Sequence, residues 1–351
     1  MVQNSGGPAP YIYVSTRLRV RKAKLLPPEE YQRMLNMSLP EIIRLIGETE
    51  YQKEVDELGT SFEGIDLIEV ALSWNLAKEY QRVIELAPGS LKEFTMAYLR
   101  RWDIYNILTI LRGKMQGMKE GKIKEVLIPA GSLDRTILDR VLAEENCERV
   151  ADALKNWKMY PTLSAELSEG CAVGSFARLE NELYKRLYAD LLKIARRGVK
   201  GGNQFLKFVQ LEIDVKNIKT LFRMRGDGYE EDAREFFIPG ATFTPEELQQ
   251  MNQMTTRNEV IDALLARIKA KAIQVALEDM RTEKSEQEVD AELTKTQLDH
   301  MEQLSKINPF SIHPILVYLE KKKYEVFNLR AIARGKESRL AGDTIAKYLV
   351  I

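Results

Sequence analysis

The sequence predicts an all-α protein made of three copies of one helical unit. Three observations carry that reading. Asp103, Asn106, Ile107, Ile110 and Arg112 return as Asp214, Asn217, Ile218, Leu221 and Arg223, then as Glu325, Asn328, Leu329, Ile332 and Arg334, with the asparagines at equal steps of 111 residues. A long apolar stripe at helical spacing precedes each of these tracts. No segment shows the alternating, β-branched, turn-bounded pattern of a sheet strand. A fixed period across a whole chain means one structural unit copied and packed against itself, and a unit of about 110 residues is far longer than a solenoid repeat.

Residues 1–10 are small, polar, Pro or Gly and are expected to be disordered. From Tyr11, the positions Tyr11, Val14, Leu18 and Leu25 fall at near-helical spacing, and Arg17, Arg19, Arg21, Lys22 and Lys24 give that helix a basic face. Such a face is either solvated or bound to an acidic partner. Leu25-Leu26-Pro27 then opens the first copy, matched by Leu127-Ile128-Pro129 and Phe237-Ile238-Pro239, while Leu349-Val350-Ile351 stops where a fourth proline would fall. These matches set expected domains at 11–126, 127–236 and 237–351.

Inside each copy the same helix signals recur. Ser38 with Glu41, and Thr256 with Glu259, have the spacing of a capping box, with Asn146 in the equivalent place of the middle copy. The long stripe Ile65, Ile68, Leu72, Leu76, Tyr80 and Val83 maps onto Phe176, Leu179, Leu183, Leu187, Leu191 and Ile194, all apolar. Its third version, Glu286, Val289, Leu293, Gln297, Met301 and Leu304, is weaker and is expected to be more exposed. Pro88-Gly89, the glycines at 198, 201 and 202, and Pro309 then break the chain before the Asp/Asn/Arg helix. In the first copy Ser90 with Glu93 predicts another capping box, and the helix is expected to run to Gly113 or Gly117.

Composition narrows the function. Of 351 residues, 44% are hydrophobic and 30% charged, the balance of a soluble globular protein. Lys plus Arg (52) equals Asp plus Glu (52), so no net field attracts nucleic acid or an anionic membrane. No apolar run reaches the ~18 to 20 residues of a membrane span, and the start lacks the apolar core of a signal peptide. A cytoplasmic protein with no direct lipid insertion is expected. Cys147 and Cys171 are too few for a disulfide framework and read as small, buried free thiols.

Catalytic chemistry finds little support. There is no phosphate-binding GxxxxGK[ST] loop and no GxGxxG after a strand. His300 and His313 are the only histidines, and neither sits in a metal-ligand spacing. No cofactor or metal is expected. The repeated polar residues Asp103, Asn106, Arg112, Asp214, Asn217, Arg223, Glu325, Asn328 and Arg334 remain as structural or interface candidates. The acid and the asparagine, three apart, share a helix face beside the apolar stripe, whereas the arginine, six beyond, points elsewhere. Polar groups beside a core must find partners, either in neighbouring backbone and the adjoining copy or in a partner protein.

The segment TRLRVRKAKLLPPEEYQRMLNMSLPEIIRLIGETEYQKEV, residues 16–55, resembles the start of the family that comprises the C subunit of A-type (archaeal) ATP synthases and the d subunit (AC39) of V-type ATPases. The similarity continues through YLRRWDIYNILTILRGK and GVKGGNQFLKFVQLEIDVKNIKTLFRMR to LRAIARGKESRLAGDTIAKYLVI, nearly the whole chain. Arg-x-Arg before the leucine pair and Thr49-Glu50-Tyr51 are its more specific features, while Gln52 stands where the family pattern suggests glycine. The resemblance implies three homologous helical domains about a pseudo-threefold axis, arranged as a funnel. It also implies a non-catalytic central-stalk component on the cytoplasmic face of the cell membrane, between the proteolipid (c/K) ring and the D and F subunits of the central shaft. A helical-repeat adaptor unrelated to rotary motors would share the periodicity but lack the match at residues 16–55.

Overall fold

A computed structural model describes residues 9–229, 231–282 and 284–350. Residues 1–8 of the stretch expected to be disordered, and Ile351 of the final apolar triplet, lie outside the described residues, while Ala9 and Pro10 begin the first helix. Among the described residues the structure is helical throughout, with no strand. After α1 (Ala9–Lys22) come α2 (Pro28–Met34), α3 (Leu39–Gly47), α4 (Gln52–Leu58), α5 (Gly64–Leu86), α6 (Gly89–Leu99), α7 (Arg101–Met115) and α8 (Glu120–Glu125). The same order of short and long elements returns in α9 (Arg135–Leu142), α10 (Cys147–Ala153), α11 (Tyr160–Val173), α12 (Ala177–Ala195) and α13 (Gly202–Gly226), followed by a 3-10 turn over Arg234–Phe236. It returns again in α14 (Pro245–Asn252), α15 (Arg257–Leu265), α16 (Lys271–Asp279), α17 (Glu286–Ile307), α18 (His313–Glu337) and α19 (Gly342–Ala346).

The chain forms two compact units, one of Met1–Ser38 with Leu192–Ile351 and the other of Leu39–Leu191. In the first, α17 packs on both α13 and α18, and α1 lies along α18. Val14 and Leu18 of α1 are buried, and Lys22 at its end donates to Glu302 at 2.9 Å, which ties down that end of the basic face. In the second unit, α5 packs against α3, α4, α6 and α8. Its turns bury Leu67, Val70 and Ala71 as well as the stripe, because helices surround it on several sides.

Burial follows the stripes. Ile68, Leu72, Leu76, Tyr80 and Val83 are core, as are all six of the Phe176 to Ile194 series. In the third series Val289, Leu293 and Met301 are buried and Glu286 is exposed. Capping follows sequence at Thr256, whose hydroxyl accepts from the Glu259 amide, and at Asn146, which accepts from Arg149. Ser285 and Thr244 form further capping boxes. The turn at Thr49–Gln52 closes without glycine, through Gln52 N–H to the Thr49 carbonyl at 3.1 Å.

Two expectations need correction in the first copy. The helix begins at Gly89, with extended Pro88 as its N-cap, so Ser90 lies inside the first turn and is not the cap. It also breaks at Arg100, giving α6 and α7 where α13 and α18 run unbroken for 25 residues each. The cause is local: the Arg101 guanidinium stacks on the Tyr98 ring at 3.6 Å, and its Nε donates to the Tyr98 carbonyl at 3.1 Å. That carbonyl would otherwise serve the helical ladder.

Candidate functional site

The repeated asparagines occupy one geometry three times. Ile128 and Ile238 each precede a proline, a position sterically biased towards extended backbone and away from helix. Their backbone groups, buried with the side chains, have no helical partner, and beyond the Ala130 N–H that reaches the Ile128 carbonyl at 2.8 Å they need another. Asn106 supplies it: Nδ2 donates to the Ile128 carbonyl at 2.7 Å, and Oδ1 accepts from the Ile128 N–H at 2.8 Å. Asn217 holds Ile238 identically, at 2.8 and 2.9 Å. Asn328 holds Val350 at 2.8 and 2.9 Å. A primary amide has one acceptor and one donor edge side by side, so it can pair both groups of a single residue, which neither a carboxylate nor an ammonium can do.

One turn earlier, the acid secures the next stretch of chain. Asp103 is fully buried, and its carboxylate accepts from Ser132 N at 3.0 Å, Ser132 Oγ at 2.6 Å and Leu133 N at 2.9 Å. The fit is tight enough that a Cβ on Gly131 would lie 2.1 Å from Asp103 Oδ1. Asp214 accepts from Thr242 N at 2.9 Å and Thr242 Oγ1 at 2.7 Å. Burial pushes both carboxyls above their usual range, opposed by these hydrogen bonds and by the charges of Arg100 and Arg267 respectively.

The third acid differs. Glu325, longer by one methylene, instead accepts from the Leu26 N–H at 2.6 Å and from the buried ammonium of Lys322 at 2.8 Å. Leu26 belongs to the first Leu-Leu-Pro, so the last copy's acid fastens the chain's beginning. Lys336 Nζ adds a second tie to that region, donating to the Leu35 carbonyl at 2.5 Å. A cavity of about 350 Å³ lies beside this clamp, lined in part by Pro27, Tyr31, Tyr324 and Asn328.

The arginines do not join. Arg112, Arg223 and Arg334 are exposed, and Arg112 pairs with Glu180 at 2.5 Å across a half-exposed surface where such a pair is worth little. Sequence reasoning marks both the asparagines and the apolar segments ending in proline without joining them. The signal is there: each clamp spans 21 or 22 residues, and a hydroxyl stands four residues beyond Ile128 and Ile238. Lys322, on the same helix as the acid it pairs with, escapes sequence reasoning altogether.

Among the described residues no group of three or more His, Cys, Asp or Glu is arranged to hold a metal, and no helix is long and apolar enough to cross a membrane. The repeated asparagines bond the protein's own backbone, and Asp103 and Asp214 bond backbone and neighbouring hydroxyls, so their chemistry is that of fastening.

The family model described as ATP synthase (C/AC39) subunit matches residues 14–348. The chain is 35% identical over 348 residues to the C subunit of the A-type ATP synthase of Archaeoglobus fulgidus, covering 99% of this chain and 98% of that protein. It is 36% identical to the corresponding protein of Methanosarcina acetivorans, covering 98% and 94%, and 33% identical to that of Haloferax volcanii over the full length of both. With a match of this extent to the family model and to curated relatives from end to end, the chain belongs to the ATP synthase (C/AC39) subunit family.

Proposed function

We propose that this chain is a non-catalytic rotor component of an A-type ATP synthase, the socket in which the central shaft, built of the D and F subunits, meets the membrane proteolipid ring. The observation that carries this reading is end-to-end similarity to proteins named as the C subunit of A-type ATP synthase, in a chain whose repeated buried polar groups are spent on its own backbone. On this reading the three copies, 11–126, 127–236 and 237–351, are homologous domains about a pseudo-threefold axis. The protein sits at the cytoplasmic face of the cell membrane, held there by its protein neighbours.

Mechanical logic supports the role. A coupling between shaft and ring must transmit torque without yielding, and close-packed helical interiors have almost no free volume to yield into. Unpaired backbone at the interdomain segments would be the soft points. The amide and acid clamps stiffen those segments with two to five hydrogen bonds each. Ion-driven rotation of the ring would then reach the shaft through this collar, and ATP synthesis would follow in other subunits.

The test is purification of the intact complex followed by stepwise dissociation. The protein should leave with ring and shaft. Its departure with the peripheral stalks, or its absence from the complex, overturns the proposal.

A further inference from the structure

The cavity of about 350 Å³ beside the Glu325 clamp lies within one compact unit, between the segment that follows α1 and the helices α17 and α18. Its size falls in the range of small-molecule sites, roughly 300–1,000 Å³. Leu25, Leu26 and Leu298 give it an apolar wall, and the side chains of Lys22, Lys321 and Lys295 also line it. Two of these lysines are gathered by one acid. Lys22 Nζ donates to Glu302 Oε1 at 2.9 Å and Lys321 Nζ donates to Oε2 of the same carboxylate, while Lys306 Nζ stands 3.8 Å from Oε1.

Glu302 does not itself line the cavity, so it draws the two ammonium groups together from behind. Three ammonium groups around one carboxylate leave two positive charges uncompensated. An ammonium has three donors, and Lys22 and Lys321 each spend one on Glu302. Lys295, exposed on α17 and without an ion pair among the described residues, adds a further cation two turns before Glu302, about 10 Å along the helix. The acids that line the cavity are exposed Asp299 and Glu325, and Glu325 is already neutralised by Lys322 at 2.8 Å.

We propose that this cavity binds a phosphomonoester carried on an apolar or flat body, with the phosphate between Lys22 and Lys321. A phosphomonoester has roughly −1.5 to −2 charges at pH 7 and three terminal oxygens, which matches the two uncompensated charges and the four spare donors of these lysines. A carboxylate offers one charge and two oxygens, half of what the site can meet. The leucine wall covers the body of the ligand, and the ring of buried Tyr31 adds to it. Free nucleotides and phosphatidic acid share this chemistry. A ligand seated there joins the start of the chain to α17 and α18 and stabilises the folded protein by mass action.

The experiment titrates the purified full chain calorimetrically with AMP and, separately, with dihexanoyl phosphatidic acid below its micelle concentration. Saturable binding at one site with a raised melting midpoint is expected from at least one of them, and which one binds tells a free from a lipid-borne phosphate. The matching diesters, cyclic AMP and dihexanoyl phosphatidylglycerol, keep each body but carry a single charge and should bind about tenfold more weakly. Lys321→Gln should weaken binding about tenfold and the more distant Lys295→Gln about threefold. In lysine acylation of the parent protein the ligand should shield Lys22 and Lys321 and leave exposed Lys92 reactive. Absence of binding by both monoesters at about 1 mM, diesters that bind as tightly, or shielding that spares Lys22 and Lys321 would overturn the proposal. The shielding is read on the parent and stands whether or not a variant folds.

Discussion

Replacing the clamp asparagines one at a time tests the reading of the repeat most sharply. In Asn106→Leu the side-chain volume is kept but both hydrogen bonds to Ile128 are lost, at a residue with no solvent exposure. The Ile128 N–H is left unsatisfied at roughly 1–3 kcal/mol, while its carbonyl keeps the Ala130 N–H at 2.8 Å, so the variant should lose about 1–3 kcal/mol. That is a large share of a typical total of about 5–15 kcal/mol. Asn217→Leu should cost at least as much, since Ile238 is as deeply buried and both its backbone groups bond the amide. Asn328→Leu should cost less, because Val350 is only partly buried and the adjoining cavity lets water reach its backbone. Urea denaturation of the purified protein, with midpoint and slope fitted for each variant, provides the comparison. Three variants within about 0.5 kcal/mol of the parent would refute the view that these amides fasten the chain.

Other outcomes follow from the same structure. Leu183→Asp places a carboxylate at a fully buried position of α12 and should prevent stable folding, seen as loss of cooperative melting by circular dichroism, and in the complex should uncouple ATP hydrolysis from ion movement. Gly131→Ala should force Asp103 off its three donors and lower the melting midpoint, while the same change at exposed Gly121, where a Cβ meets nothing, should not. Glu302 governs part of the acid response: burial raises its carboxyl, but the ammonium groups of Lys321 and Lys22 outweigh this and hold it at about 2. Its contribution is thus fully present above the unfolded carboxyl's value of about 4.3 and fades as pH falls towards 2, so Glu302→Gln should differ from the parent at pH 6 and converge with it by pH 2. Asp103 and Asp214 behave oppositely: their raised carboxyls cost stability while ionised and return it on protonation, so they offset part of the acid response and replacing them with asparagine should make acid unfolding steeper.

Much of the fold was legible because it is written in apolar spacing. The stripe from Ile68 to Val83 and its copy from Phe176 to Ile194 decide helix, face and burial together, and the charged Glu286 in the third series announces its exposure. The break at Arg100 was not legible, since it depends on one guanidinium choosing a carbonyl within its own helix. The clamps were half legible. Period alone marked the acid and the asparagine, and the proline marked the segment needing backbone partners, but their pairing across some twenty residues is tertiary. The reach of Glu325 back to Leu26, across 299 residues, has no local signature at all beyond the change from aspartate to glutamate.

Lysine-directed crosslinking with peptide identification in an assembled A-type ATP synthase addresses the central claim most directly. Links from this protein to the proteolipid ring and to the D and F subunits of the shaft are the expected result. Links confined to the peripheral stalks or the catalytic head would contradict it.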